Sequence, residues 1–121
     1  MPPRNWKFRV DDILKAIEAV EDYTDDLDAS TFEARRIVID AVLRNLTVIG
    51  EAAAGIPDEI KARAPEVPWQ DVIGMRNIVV HEYFGVSLPI VWHTAKAELP
   101  KLRESLLALL AKMPSEASDF Q

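Results

Sequence analysis

The sequence has no cysteine and only two histidines among its 121 residues. The absence of cysteine excludes disulfides and thiolate metal sites. His81 and His93 lie twelve positions apart and lack the i, i+4 spacing of paired metal ligands on a helix. The sequence therefore predicts neither a metal site nor a bound cofactor.

Long apolar runs are also missing. No stretch approaches the roughly 18 consecutive apolar residues that indicate a membrane span. The most apolar window, residues 37–50, is interrupted by Asp40, Arg44 and Asn45. Residues 1–6 contain no apolar run of the kind found in signal peptides. We therefore expect a cytoplasmic protein that makes no contact with a membrane.

The length suits one domain, here residues 1–121, with a frayed tail after about residue 114. The net charge is −6, from 14 basic residues against 20 acidic residues. Acidic chains repel nucleic acids at long range, so the composition argues against a non-specific nucleic-acid binder. A local basic site, or one that two subunits build together, could still hold RNA.

Apolar residues recur at helical spacing along the chain, and no alternating strand pattern is present. The predicted helices cover about residues 10–22, 31–54, 68–84 and 88–113, with a short helical turn at 58–64. Pro100 should kink or split the last helix because it lacks an N–H group. Trp69 and Trp92 are expected to be core anchors. The pattern predicts an all-α antiparallel bundle of four or five helices joined by short connections.

The second long predicted helix is apolar around most of its circumference. Its polar residues fall in one narrow stripe: Arg36, Asp40, Arg44, Thr47 and Glu51. A helix this apolar is buried on more than one side, either at the centre of a bundle or at a subunit interface.

Residues suited to phosphate chemistry are concentrated in the otherwise apolar segment 74–85, which contains Arg76, Asn77, His81 and Tyr83. Asn77 and His81 are i, i+4 neighbours, so the amide can orient the imidazole. Arg76 supplies a fixed positive charge, His81 titrates near neutrality, and Tyr83 adds a polar hydroxyl. Together they form a set that can act on a phosphate group.

The same residues also have simpler explanations. A histidine near the C-terminus of a helix often compensates the helix dipole. An arginine in an apolar helix is often an ion-pair partner, or a surface residue whose stem lies along apolar side chains. Tyr83 can equally be an aromatic residue at the edge of the core. Spacing alone leaves both interpretations open.

Arg76 and His81 stand as R-x4-H, with polar Asn77 directly after the arginine, on the third long helix of an all-α chain. This arrangement resembles the signature of the HEPN superfamily of nucleases. The longer pattern R-x4-H-x-Y, which ends at Tyr83, is similar to that of the HepT toxins of HepT–MntA toxin–antitoxin modules. The similarity covers about residues 8–113, including the I-G-E-A-A segment at 49–53.

The resemblance implies a HEPN-like fold and a homodimer whose two motif helices meet at the interface. It also implies that RNA is cut there without metal, with Arg76 and His81 as catalytic residues. One protomer has a single histidine in the motif, whereas a dimer supplies two, enough for a base and an acid. As a type VII-like toxin–antitoxin pair, the module would include an MntA-like nucleotidyltransferase that transfers AMP to Tyr83 and silences the toxin.

Glu51, in the I-G-E-A-A segment, is a supporting candidate because its carboxylate could orient Arg76 or His81. It could equally pair with a surface lysine. Two alternatives to an enzyme remain: a non-catalytic helical dimer that binds a nucleotide or the partner protein through the same groove, and a structural bundle in which Arg76 forms a buried ion pair. Cleavage of RNA by the purified protein would separate the enzyme from both.

Overall fold

A computed structural model of the chain describes residues 5–77 and 87–113. These residues contain helices and no β-strand, which confirms the predicted all-α class. The elements are α1 (Trp6–Thr24), α2 (Ala29–Glu33), α3 (Arg36–Ala54), α4 (Asp58–Lys61), α5 (Trp69–Gly74), a 3-10 turn (Met75–Asn77), α6 (Leu88–His93), a π-helical turn (Thr94–Glu98) and α7 (Leu99–Lys112). The predicted end of the third long helix near residue 84 and the predicted frayed tail lie outside the described ranges.

Helix α3 lies at the centre and packs against α1, α2, α5 and the 3-10 turn. Its buried residues cover most of its circumference: Val38, Ile39, Val42, Leu43, Leu46, Ile49, Gly50, Ala52 and Ala53. The predicted polar stripe is on the outside, where Arg36, Asp40, Arg44 and Glu51 are exposed. The sequence pattern therefore identified both the central helix and its solvent face.

Helix α1 begins at Trp6, four residues earlier than the apolar pattern predicts. The side-chain oxygen of Asn5 accepts a hydrogen bond from the backbone N–H of Lys7 at 2.8 Å and caps the first turn. Trp6 packs against the core from this extra turn. An ion pair between Glu21 and Arg103 joins the other end of α1 to α7.

The prediction of one continuous helix over residues 31–54 was wrong, because α2 and α3 are separate. Asp28 caps α2: its carboxylate accepts from the Thr31 N–H at 2.9 Å, and the Thr31 hydroxyl accepts from the Asp28 N–H at 2.8 Å. The Asp28 carboxylate accepts hydrogen bonds from the N–H and the hydroxyl of Thr31 and from the hydroxyl of Ser30, and these bonds lower the pKa of Asp28. Phe32 is fully buried and anchors α2 to α6 through Trp92, with ring centroids 5.1 Å apart.

Pro100 splits the last helix, as predicted. In a regular α-helix the ring of Pro100 would clash with the carbonyl of Lys96. The wider π-helical turn over Thr94–Glu98 lies directly before α7 and accommodates the proline. The buried apolar face continues from the π-helical turn into α7, where these residues are all buried: Ala95, Leu99, Leu102, Leu106 and Leu109.

Trp69 and Trp92 are core anchors, as predicted. Both are partly buried and pack against the central cluster. Across the two described ranges, every helix is too short or too polar to cross a membrane.

Candidate functional site

The segment that carries Arg76 is attached at its start through Trp69. The indole N–H of Trp69 donates to the carbonyl oxygens of Lys61 and Ala64, each at 3.1 Å, which ties the first turn of α5 to the end of α4. Val72 is buried on the inner face of α5. The chain is α-helical only as far as Gly74 and then tightens into the 3-10 turn, where a continuous helix was predicted.

The 3-10 turn lies directly on α3 at Gly50. A Cβ atom at position 50 would be 2.2 Å from the backbone nitrogen of Arg76 and 2.8 Å from its Cβ. The same atom would be 2.8 Å from the carbonyl oxygen of Ile73. Glycine permits this approach because it has no side chain. The backbone of Arg76 is therefore held against the central helix, while the residue as a whole is exposed.

Sequence reasoning missed Gly50. The signal was present, because glycine in a helix interior is disfavoured by about 1 kcal/mol relative to alanine. A glycine inside a buried, apolar helix such as α3 often marks a place where another part of the backbone comes close.

Glu51 and Asn77 are both exposed beside this junction. Glu51 follows Gly50 on α3, and Asn77 ends the 3-10 turn after Arg76. Within residues 5–77 and 87–113, neither Arg76 nor Glu51 forms an ion pair. The exposure of Arg76 disfavours the alternative in which it forms a buried ion pair. The structure thus places Arg76 and Asn77 in the exposed turn that packs on Gly50, and Glu51 next to Gly50 in the sequence of α3.

His81 and Tyr83 fall in residues 78–86, outside the part of the chain that the structure describes. Their proposed roles, and the predicted contact of Asn77 with His81, stay predictions.

The solvent face of α3 continues from this junction toward its N-terminus and is partly apolar. Ile37 is 85% exposed and Val48 is 39% exposed. The spacing of 37, 44, 48 and 51 places these two residues with Arg44 and Glu51 on one helical face. Ile37 and Val48 are about three helical turns apart, and exposed Arg44 lies between them.

A groove of about 830 Å³ lies between the α4–α5 region and α7. Its described lining includes apolar Val72 and Leu99 and the carboxylates of Glu66, Asp71 and Glu98, and Lys101 is the one positively charged residue among the described residues that line it. This excess of carboxylates repels phosphate groups. Arg76 is not among the residues that line it. The groove is therefore a poor candidate for a site that binds phosphate groups.

Comparison with known proteins adds independent information. The family described as ribonuclease HepT-like matches residues 13–109. A probable ribonuclease HepT of Thermococcus cleftensis is 37% identical over 100 residues, covering 83% of this chain and 91% of the relative. A candidate RNase of Methanocaldococcus jannaschii is 38% identical over 104 residues, covering 86% of this chain and 90% of the relative.

Another Methanocaldococcus jannaschii protein, named as a gamma-glutamylcyclotransferase and candidate RNase, is 35% identical over 110 residues. The match covers 91% of this chain and 50% of that protein, so the chain spans about half the length of this relative. No solved structure matches the chain.

Proposed function

Because this chain belongs to the ribonuclease HepT-like family, we propose that it is a metal-independent endoribonuclease with Arg76 and His81 as catalytic residues. The placement of Arg76 in the structure is the observation that best supports the proposal. Its backbone is fixed against α3 at Gly50, and the residue faces solvent with no ion-pair partner among the described residues. A guanidinium in this setting is available to a phosphate, which it can hold through two parallel hydrogen bonds.

The proposed reaction uses the ribose 2′-hydroxyl as the nucleophile. His81 takes the proton of this hydroxyl, and the 2′-oxygen attacks the adjacent phosphorus atom. Arg76 stabilises the negative charge that develops on the phosphate oxygens. The bond from phosphorus to the 5′-oxygen breaks, and that oxygen receives a proton from a second imidazole. The products are a 2′,3′-cyclic phosphate and a 5′-hydroxyl.

Two copies of the chain are needed for this reaction, because each contributes a single motif histidine. We propose a homodimer with the composite site at its interface. Ile37 and Val48 on α3 are exposed, and association of two copies on this side of the molecule would remove their apolar surface from water. Two copies of Arg76 would also concentrate positive charge locally in a chain whose net charge is −6.

We further propose that the enzyme is the toxin of a type VII-like toxin–antitoxin pair. Its partner would be an MntA-like nucleotidyltransferase that transfers AMP to Tyr83. The adduct adds a negative phosphodiester and a bulky nucleoside close to Arg76 in the sequence. Both oppose the entry of RNA, the first by repulsion and the second by occupying space.

The test is incubation of the purified chain with end-labelled RNA in the presence of EDTA. We expect internal cleavage that EDTA does not inhibit, with 2′,3′-cyclic phosphate ends. Binding of RNA or a nucleotide by the folded protein without any cleavage would contradict the proposal and support the non-catalytic dimer. Cleavage that EDTA abolishes would show that a metal takes part in the reaction.

A further inference from the structure

Gly50 is an unusual residue for its position. It lies inside the 19-residue helix α3 and is buried, between buried Ile49 and exposed Glu51. Alanine is strongly preferred over glycine in a helix interior because glycine loses more conformational freedom on folding. The backbone of Gly50 does not require glycine, since its φ angle lies outside the left-handed range. The need for glycine must therefore come from what packs against it.

What packs against Gly50 is the backbone of the segment that carries the proposed catalytic arginine. The closest atoms to a Cβ built at this position are the Arg76 nitrogen at 2.2 Å, the Arg76 Cβ and the Ile73 carbonyl oxygen. None of these is the flexible end of a side chain. A rotamer change cannot relieve the collision, so α3 and the 3-10 turn would have to separate.

We propose that Gly50 is a positioning residue for Arg76: by lacking a side chain it sets how deeply the 3-10 turn sits on α3, and so where the guanidinium meets RNA. This inference rests on the proposed ribonuclease function. Gly50 does not touch the substrate itself. A Cβ atom at position 50 would be 2.2 Å from the Arg76 nitrogen. To reach an ordinary contact distance, the 3-10 turn would have to move by about 1 Å or more, and misplacement on this scale can slow catalysis about 10²-fold.

The chain supplies a matched control in Gly74. This residue ends α5, is exposed, and lies only two positions before Arg76. A Cβ at Gly74 would meet nothing within 4 Å. The changes Gly50→Ala and Gly74→Ala add the same methyl group to a helical residue. They differ in whether that methyl collides with the backbone of Arg76.

The experiment measures kcat and KM for a labelled RNA with the wild-type chain, Gly50→Ala and Gly74→Ala. Far-UV circular dichroism verifies folding, and the backbone amide resonance of Arg76 in ¹⁵N-labelled protein reports the position of the turn. We expect Gly50→Ala to stay folded, to shift the Arg76 amide resonance, and to lose about 10²-fold in kcat with a smaller change in KM. Gly74→Ala should retain wild-type kcat and KM.

A second comparison separates positioning from general damage. In an Arg76→Lys background the guanidinium is already gone, so Gly50→Ala should reduce kcat by much less than it does in the wild type. Equal losses in both backgrounds would contradict the proposal, because the defect would then act independently of Arg76.

Three other results would overturn the inference: wild-type kcat in Gly50→Ala, equal losses in Gly50→Ala and Gly74→Ala, or failure of Gly50→Ala to fold. In the last case Gly50 would serve the fold as a whole. If the wild-type chain does not cleave RNA, the proposed function is contradicted instead. The Arg76 amide resonance would then still report whether Gly50 sets the position of the turn.

Discussion

At the scale of single residues, the proposed chemistry depends on the guanidinium of Arg76 and not only on its charge. A guanidinium is planar and can hold a phosphate through two hydrogen bonds, whereas a lysine ammonium acts as a point charge. Because Arg76 is exposed and forms no ion pair within the described residues, its replacement should leave the fold intact.

We therefore expect Arg76→Ala to abolish RNA cleavage and Arg76→Lys to retain only part of it, while both keep wild-type helicity. Cleavage assays together with circular dichroism test this expectation. Loss of folding in Arg76→Ala would indicate a structural residue, and wild-type cleavage by Arg76→Ala would remove it from the site.

Tyr83 is the proposed site of regulation, and mass spectrometry of the intact protein can detect AMP transfer to it. Co-expression with the proposed MntA-like nucleotidyltransferase should add a whole number of AMP units to the intact mass of the chain. We expect this gain to vanish in Tyr83→Phe, which keeps the aromatic ring and removes the hydroxyl. Neutralisation of the toxin without any mass gain would show that the partner inhibits by forming a complex.

The sequence predicted part of the site at this scale. The concentration of Arg76, Asn77 and His81 in an apolar segment was visible from residue types and spacing alone. The contact of Gly50 with the Arg76 backbone was not, because it joins residues 26 positions apart and depends on how deeply two elements pack. Glu51 was predicted as a site residue because of its charge, but the neighbouring Gly50 makes the close contact with the Arg76 backbone.

At the scale of the elements, α5 and the 3-10 turn form a short segment that packs against α3 and is also fixed by two specific contacts. One is the contact at Gly50, and the other is the pair of hydrogen bonds from the Trp69 indole to the carbonyls of Lys61 and Ala64. A substitution can remove the hydrogen bonds of Trp69 without adding atoms, whereas any substitution of Gly50 adds a side chain.

Trp69→Phe should therefore lower the free energy of unfolding, because a hydrogen bond in a folded protein contributes about 0.5–1.5 kcal/mol. The control is Trp92→Phe, which loses the same ring area from a partly buried tryptophan that packs on Phe32. We expect urea unfolding to show a larger loss for Trp69→Phe, by about 1 kcal/mol. Equal losses would mean that ring burial alone explains the role of Trp69.

The apolar periodicity located the long elements but not their interruptions. The break between α2 and α3 lies at Ala34 and Arg35, where the backbone of Arg35 departs from helical geometry with φ −113° and ψ 86°. The burial of Phe32 against Trp92, which is a tertiary contact, anchors α2 to α6. The division of the last helix could be predicted from Pro100, because the missing N–H group of proline disrupts a helix whatever packs around it. The π-helical form of the preceding turn depends on packing, which a periodic pattern does not encode.

At the scale of the whole molecule, the proposed composite site requires two copies of the chain. The exposed apolar residues of α3 offer a test, because a charge placed there would be buried without a partner on association. Leu107 on α7 is a matched control, since it is 50% exposed on a helix that packs against α1.

Light scattering at micromolar concentration should show a dimer for the wild-type chain and for Leu107→Glu. Ile37→Glu or Val48→Glu should shift the protein toward monomer and reduce RNA cleavage in parallel. An obligate interface of this kind usually buries more than about 2,000 Å². A stable wild-type monomer that cleaves RNA would contradict the composite site.

The chain has two histidines, and a comparison of their alanine variants tests whether His81 acts in the reaction. His93 is exposed and lies 3.2 Å from Glu98, where it has no role in the proposed reaction. We expect His81→Ala to slow RNA cleavage by about 10²–10⁴-fold, the usual cost of losing a positioned acid or base. His93→Ala should cleave at the wild-type rate. Near-wild-type cleavage by His81→Ala would contradict the claim that this imidazole performs the chemistry.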